Sequence, residues 1–129
     1  MKRALLLLAL FLGTCALPSA PTSDRITLPP EATTDELSFA LSELSLQKEC
    51  VGATRTVEVR VVFHEGFFDC GGVAANGCLW DSQTIHVNHR VFEPALSHEL
   101  IHMWEVTLGH AFDYAHTSPV WGKCDRLNH

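Results

Sequence analysis

The sequence predicts an α+β fold, with a small antiparallel or mixed sheet, one helix before it and two helices after it. Three observations lead there. Apolar residues recur at helical intervals between residues 34 and 49, they alternate strictly between 56 and 64, and from Phe92 the period turns helical again. The 129 residues are enough for one small domain, and an apolar fraction of 47% suits a packed core. A core of this size is marginal without a metal or disulfides to help it.

Taking the elements in order, residues 17–32 hold Pro18, Pro21, Pro29 and Pro30 among small polar residues and predict a stiff leader outside the folded unit. Thr33 and Glu36 have capping-box spacing. Leu37, Ala40, Leu41 and Leu44 follow on one helical stripe, and Gly52 offers a stop, which predicts a helix over 34–49. Val57, Val59, Val61 and Phe63 alternate with Glu58, Arg60, Val62 and His64, the mark of a half-buried strand. Asn76-Gly77 signals a tight hairpin turn, and Thr84-Ile85-His86-Val87 a further strand, so the middle third is expected to be a small antiparallel sheet. The next helix has Pro94 in its first turn and Gly109 beyond its end. A last short helix is expected to start at Ser118-Pro119 and run through Trp121 and Leu127.

Ahead of all this, Lys2 and Arg3 precede nine apolar residues and then Gly13, Thr14, Cys15 and Ala16, which reads as a secretory signal peptide over 1–16. The apolar run is too short to span a bilayer. Two exits stay open: cleavage after Ala16, or a lipoprotein route that acylates Cys15 as a lipid anchor, since Leu12-Gly13-Thr14-Cys15 is similar to a lipobox. The expected location is therefore exported, in a bacterial periplasm or cell envelope, or secreted. Cys50, Cys70, Cys78 and Cys124 remain, an even number without a Cys-x-x-Cys pair, which favours two disulfides over a zinc ribbon. Cys70 and Cys78, bracketing Asn76-Gly77, are the expected local pair. With 9 Lys and Arg against 15 Asp and Glu, a net charge of −6 argues against a nucleic-acid partner.

The chemistry lies in His98-Glu99-Leu100-Ile101-His102, the HExxH pattern. Residues four apart share a helix face, so both imidazoles reach one Zn2+, while Glu99, a step of about 100° round the helix, reaches a water bound there. A catalytic zinc needs a third protein ligand and an open position. His110 lies eight residues after His102, off that face, and Glu105, one turn on, is aimed past the metal toward the surface or a supporting contact. His116 is the better choice, because it follows the break at Gly109 and a returning loop can bring it over the HExxH face.

From residue 84 onward the chain resembles the SprT-like (Spartan-type) zinc metallopeptidases. The resemblance rests on the strand Thr84–Asn88 leading through Val91-Phe92 and Ala95-Leu96-Ser97 into HExxH, and on His116-Thr117-Ser118-Pro119-Val120-Trp121 with Asp125, Arg126, Leu127 and Asn128 after it. Family members carry a third His at the head of a closing helix, often in a His-Gly-Pro-Glu-aromatic setting, which here reads His116-Thr117-Ser118-Pro119. The resemblance implies a minimal zincin-like domain over 33–129 that lacks the family's zinc ribbon and DNA-binding segments, so DNA-linked proteolysis is not expected to carry over.

The function expected is an exported zinc-dependent peptidase acting on a protein or peptide substrate. His98, His102 and His116 hold the metal as neutral imidazoles, and Glu99 is the general base. Tyr114 or His110 is the candidate oxyanion stabiliser, and the sheet edge near residues 84–88 is a place for an extended peptide to pair, with His86 and His89 as strand-end residues. Two alternatives stand beside it: a non-catalytic envelope binding protein stapled by zinc, its fourth position closed by a Cys or by His129, or a zinc amidase acting on cell wall.

Overall fold

The computed structural model describes Gly13 and residues 21–128. The signal-peptide reading, Cys15, leader residues 17–20 and His129 lie outside the described residues. The described residues form six strands and three helices: β1 Arg25–Thr27, α1 Thr34–Val51, β2 Glu58–His64, β3 Phe68–Cys70, β4 Val73–Ala75, β5 Gly77–Asp81, β6 Thr84–Asn88, α2 Phe92–Thr107 and α3 Pro119–Cys124, with a 3-10 turn at His89–Val91 joining β6 to α2.

Four strands make a mixed sheet in the order β1-β2-β6-β5, in which β1, β2 and β6 run parallel and β5 runs antiparallel to β6. The expectation of an antiparallel middle third is thus corrected. Residues 65–83 loop out through β3, β4 and β5 between β2 and β6, giving β6 the length of connection a parallel neighbour needs. Part of the presumed leader is also structural, since Arg25–Thr27 pairs with Glu58–Arg60 as an edge strand. Only Ile26 of that segment is buried, so its alternation is too short to stand out in sequence.

Asn76-Gly77 is not a hairpin turn. The tight turn is Gly71-Gly72 between β3 and β4, with φ of 64° and 93°, a left-handed pair that twists with the strands it joins. The disulfide Cys70–Cys78 therefore ties this β3–β4 hairpin to β5. The second disulfide, Cys50–Cys124, joins the end of α1 to the end of α3. Two disulfides belong to an oxidising compartment. Among the described residues, no helix is long and apolar enough to cross a membrane.

Helix α1 carries the expected capping box: Glu36 N–H donates to Thr33 Oγ1 at 3.1 Å, and Thr33 N–H to Glu36 Oε2 at 2.8 Å. Its inward stripe differs from the expected one. Ala40 and Leu44 are buried, but their neighbours inside are Glu43 and Gln47, while Leu37 and Leu41 face water. Buried polar groups need partners. Glu43 has them in Ser97 Oγ at 2.6 Å, Gln47 Nε2 at 2.7 Å and Arg126 Nη2 at 3.1 Å, and Gln47 Nε2 also donates to the Cys124 carbonyl at 3.0 Å. This network joins α1, α2 and the segment after α3.

Helix α2 is buried over most of its length and packs between α1 and the sheet, with Leu96, Leu100, Met103 and Trp104 fully buried in the core and Ser97, Glu99, His102 and Glu105 buried beside them. Trp104 Nε1 donates to the Leu44 carbonyl at 3.1 Å, fixing the spacing of the two helices. Helix α3 begins as expected, Ser118 Oγ accepting from Val120 N–H with Pro119 in the first position. It stops at Cys124 rather than continuing through Leu127. Asp125 leaves the helical region at ψ 62°, and the disulfide at Cys124 holds that end against α1.

Candidate metal centre

The ligands come from one helix and one loop. Helix α2 carries His98, Glu99 and His102 in its second and third turns, and the loop of residues 108–118 turns back over that face to deliver His116. Asp113 organises the loop: its carboxylate accepts from Ser118 N–H at 2.8 Å and from Thr117 Oγ1 at 3.2 Å, and its carbonyl accepts from His116 N–H at 3.2 Å. His116 adopts φ 52°, in the left-handed region that a residue with a side chain enters rarely and at a cost.

One imidazole nitrogen from each of His98, His102 and His116 lies within 4.8 Å of the other two, and His102 Nε2 is 3.2 Å from His116 Nε2. This group can hold a metal ion. Trp121 is the floor beneath it, its ring centroid 4.7, 4.4 and 4.1 Å from those of His98, His102 and His116. Phe112 stacks on His102 at 4.2 Å. His98 Nδ1 faces the carboxylate of buried Asp125 at 3.4 Å, and Asp125 is itself held by Asn128 Nδ2 at 2.6 Å. A proton kept on Nδ1 for Asp125 leaves the other ring nitrogen of His98 with its lone pair.

Electrostatics favour ligation. Burial, reinforced by the charges of His98 and His116, pulls His102 down to about 3, and burial lowers His98 as well, with Asp125 opposing. Both imidazoles are therefore neutral near pH 7, as metal ligands must be. Three imidazole nitrogens are a donor set that zinc accepts, and the four cysteines among the described residues are all held in disulfides.

Glu99 sits on the wall of the same cleft. Burial pushes its carboxyl up to about 8, against a lowering hydrogen bond from the backbone N–H of Leu79 and with a further push from Asp125. It packs on β5 where the backbone has no side chain: a Cβ on Gly77 would stand 2.6 Å from Glu99 Oε1. Gly77 is a site residue that sequence reasoning missed. The Asn-Gly pair was its only signal, and turn chemistry explained that signal away.

The other expected contributors divide. Tyr114 lines the cleft beside Phe112, 85% exposed. His110 is exposed outside the cleft lining, and its backbone N–H caps α2 at the Glu105 carbonyl, 3.1 Å away, so it is not brought to the metal face. Glu105 is not at the surface but buried, and its Oε2 has no partner among the described residues, nor does His102 Nδ1 one turn earlier. Strand β6 is interior, paired on both sides, so residues 84–88 offer no free edge; the edge beside the site is β5. His86 is engaged with His64 at 2.8 Å, and His89 with Glu36 at 2.6 Å while stacked on Phe63. Asp125 is a site residue whose role no local spacing in the sequence marks. Comparisons with protein-family models, with curated proteins and with solved structures find no match for this chain.

Proposed function

We propose that this chain is an exported zinc-dependent peptidase of minimal zincin-like architecture, with His98, His102 and His116 as metal ligands and Glu99 as general base. The observation that carries the reading is the joint placement of three converging imidazole nitrogens and a carboxyl on one cleft of about 760 Å3 that runs along the free edge of β5. Zinc bound there would supply a Lewis acid for a peptide carbonyl and an acidified water at neutral pH.

The remaining work falls to the chain. His98, His102 and His116 would each offer one ring nitrogen to the metal, and Asp125 keeps His98 in the tautomer that can do so. Glu99, held by Leu79 N–H and seated on Gly77, accepts the proton of the attacking water at a carboxylate oxygen and returns it to the leaving amine. Its raised affinity for a proton makes both transfers feasible near neutral pH, and a dication nearby favours the ionised form needed for the first. Tyr114, on the loop that carries His116, is the candidate donor to the developing oxyanion.

The test is zinc content together with cleavage of an unstructured protein by the wild type and Glu99→Gln at matched zinc occupancy. We expect one zinc per chain in both and hydrolysis only in the wild type, because losing a general base costs on the order of 10² to 10⁴ in rate. Zinc in both forms with cleavage in neither would leave a structural staple and end the enzymatic reading.

A further inference from the structure

Two hollows flank the candidate centre, and they share Gly77, His98 and Glu99. The groove therefore passes the site on both sides, but its two arms differ in chemistry. The larger arm is walled by Val73, Leu79, Trp80, Phe112 and Tyr114, and the titratable side chains lining it are those of the site itself. The smaller arm, about 440 Å3, has the amides of Asn76 and Asn128 beside Val91 and Pro94.

The apolar arm leaves large side chains in water. Trp80 is 59% exposed, Val73 66% and Tyr114 85%. An apolar patch of this kind at the mouth of a cleft marks a surface that a partner covers. Here the occupant is constrained by the neighbouring strand. β5 is an edge with one side unpaired in the sheet, and it starts at Gly77 beside Glu99 and leads outward to Trp80. An extended peptide added to that edge pairs more stably antiparallel than parallel. Running antiparallel, it passes Trp80 first and Gly77 later, so the residue lodged in the apolar arm precedes the bond at the centre.

We infer that the groove selects peptides by a bulky aromatic or branched aliphatic side chain on the amino-terminal side of the scissile bond, seated among Trp80, Phe112 and Tyr114, with a small or polar residue following it along Asn76 and Asn128. The inference rests on the peptidase reading for its scissile bond, but the apolar arm binds such a side chain whether or not cleavage follows. Replacing a large apolar side chain with alanine removes several methylene equivalents, each extra methylene in such a pocket being worth about 10- to 200-fold in discrimination.

The experiment digests a library of short peptides with the zinc-loaded protein, maps the cuts by mass spectrometry, and measures binding of matched peptides with Phe or Gly at the variable position to zinc-loaded Glu99→Gln by calorimetry. The expected results are enrichment of Phe, Tyr, Trp, Leu and Ile before the cut, a Phe-over-Ala ratio of cleavage rates of at least about 10, a fall of that ratio toward one in Trp80→Ala and Tyr114→Ala, and its recovery in Tyr114→Phe, which restores the ring without the hydroxyl. Both alanine variants change exposed side chains, so folding is not at stake. Cleavage without an apolar preference, enrichment only after the cut, or an unchanged ratio in Trp80→Ala overturns the inference while leaving the peptidase. Tighter binding of the Phe peptide to Glu99→Gln with no cleavage by the wild type overturns the peptidase and keeps the apolar site, and absence of both overturns both.

Discussion

Alanine at position 77 adds one methyl group at the most crowded point of the site. Its Cβ would lie 2.6 Å from Glu99 Oε1, 2.9 Å from Cγ and 3.1 Å from Cδ. An ordinary contact begins near 3.4 Å, so the carboxyl must retreat by about 0.8 Å or β5 must move away by as much. Gly77 is not among the glycines with positive φ, so alanine meets no backbone penalty and the clash is the whole perturbation. Displacing a proton acceptor by roughly 1 Å costs on the order of 10²-fold in rate, and overpacking at a buried side chain costs about 1–3 kcal/mol of stability. The metal ligands are not touched, so zinc content stays at the wild-type level while kcat falls about 100-fold. A second readout needs no activity: in a Glu99→Ala background the methyl has room, and the thermal destabilisation caused by Gly77→Ala should vanish, a coupling of about 1 kcal/mol or more within the range of about 0.5–3 kcal/mol for contacting residues. Wild-type kcat in fully loaded Gly77→Ala, or equal destabilisation in both backgrounds, refutes the placement of Glu99 on β5.

Three further outcomes follow from the same geometry. His98→Ala, His102→Ala and His116→Ala should each lose bound zinc by elemental analysis while His110→Ala retains it; a site emptied by His110→Ala would move the third ligand. In metal-free protein, Glu99 keeps its proton up to about 8 whereas in the unfolded chain it ionises near 4.5, so its contribution to stability falls as pH rises between those values. Denaturant unfolding in chelator should show Glu99→Gln gaining on the wild type across that window, and a constant difference would mean the carboxyl is not buried. Cys50→Ser with Cys124→Ser, opening a loop of 74 residues, should cost about 4.5 kcal/mol, and Cys70→Ser with Cys78→Ser, across 8 residues, about 2.5 kcal/mol, measured by urea unfolding. The reverse order would mean the long bridge constrains little.

What was legible in the sequence is what local spacing encodes. The capping box at Thr33 and Glu36, the alternation of Val57, Val59 and Val61, the Ser118-Pro119 start of α3 and the i, i+4 pair His98 and His102 all act within one turn or one strand. His116 was legible because the break at Gly109 forces the chain back. Pairing between distant segments was not: parallel β2 and β6, and Arg25–Thr27 as an edge strand, depend on contacts no window contains. The inward face of α1 was misread for the same reason, because Glu43 and Gln47 look solvated until Ser97 and Arg126, 54 and 83 residues away from Glu43, supply their partners. Gly77 was read as a turn because its real reason, the carboxyl of Glu99, comes 22 residues later.

The polar network around Glu43 also sets a timetable. A ribosome releases the chain from its amino terminus, so α1 emerges with a charged side chain destined for the interior and nothing yet made to neutralise it. Arg126, the carbonyl of Cys124 that holds Gln47, and the sulfur that bridges to Cys50 all follow their partners in α1 by 74 to 83 residues. Until then, docking α1 on α2 would bury the Glu43 carboxyl with Ser97 and Gln47 but without the guanidinium of Arg126, an incomplete set of partners. The packing of α1 on α2 and the Cys50–Cys124 bridge are therefore completed only once residues 124–126 have been made, whereas Cys70 and Cys78 are free to pair earlier. The long bridge and the buried network thus close together, on one short segment at the end of α3 and just after it.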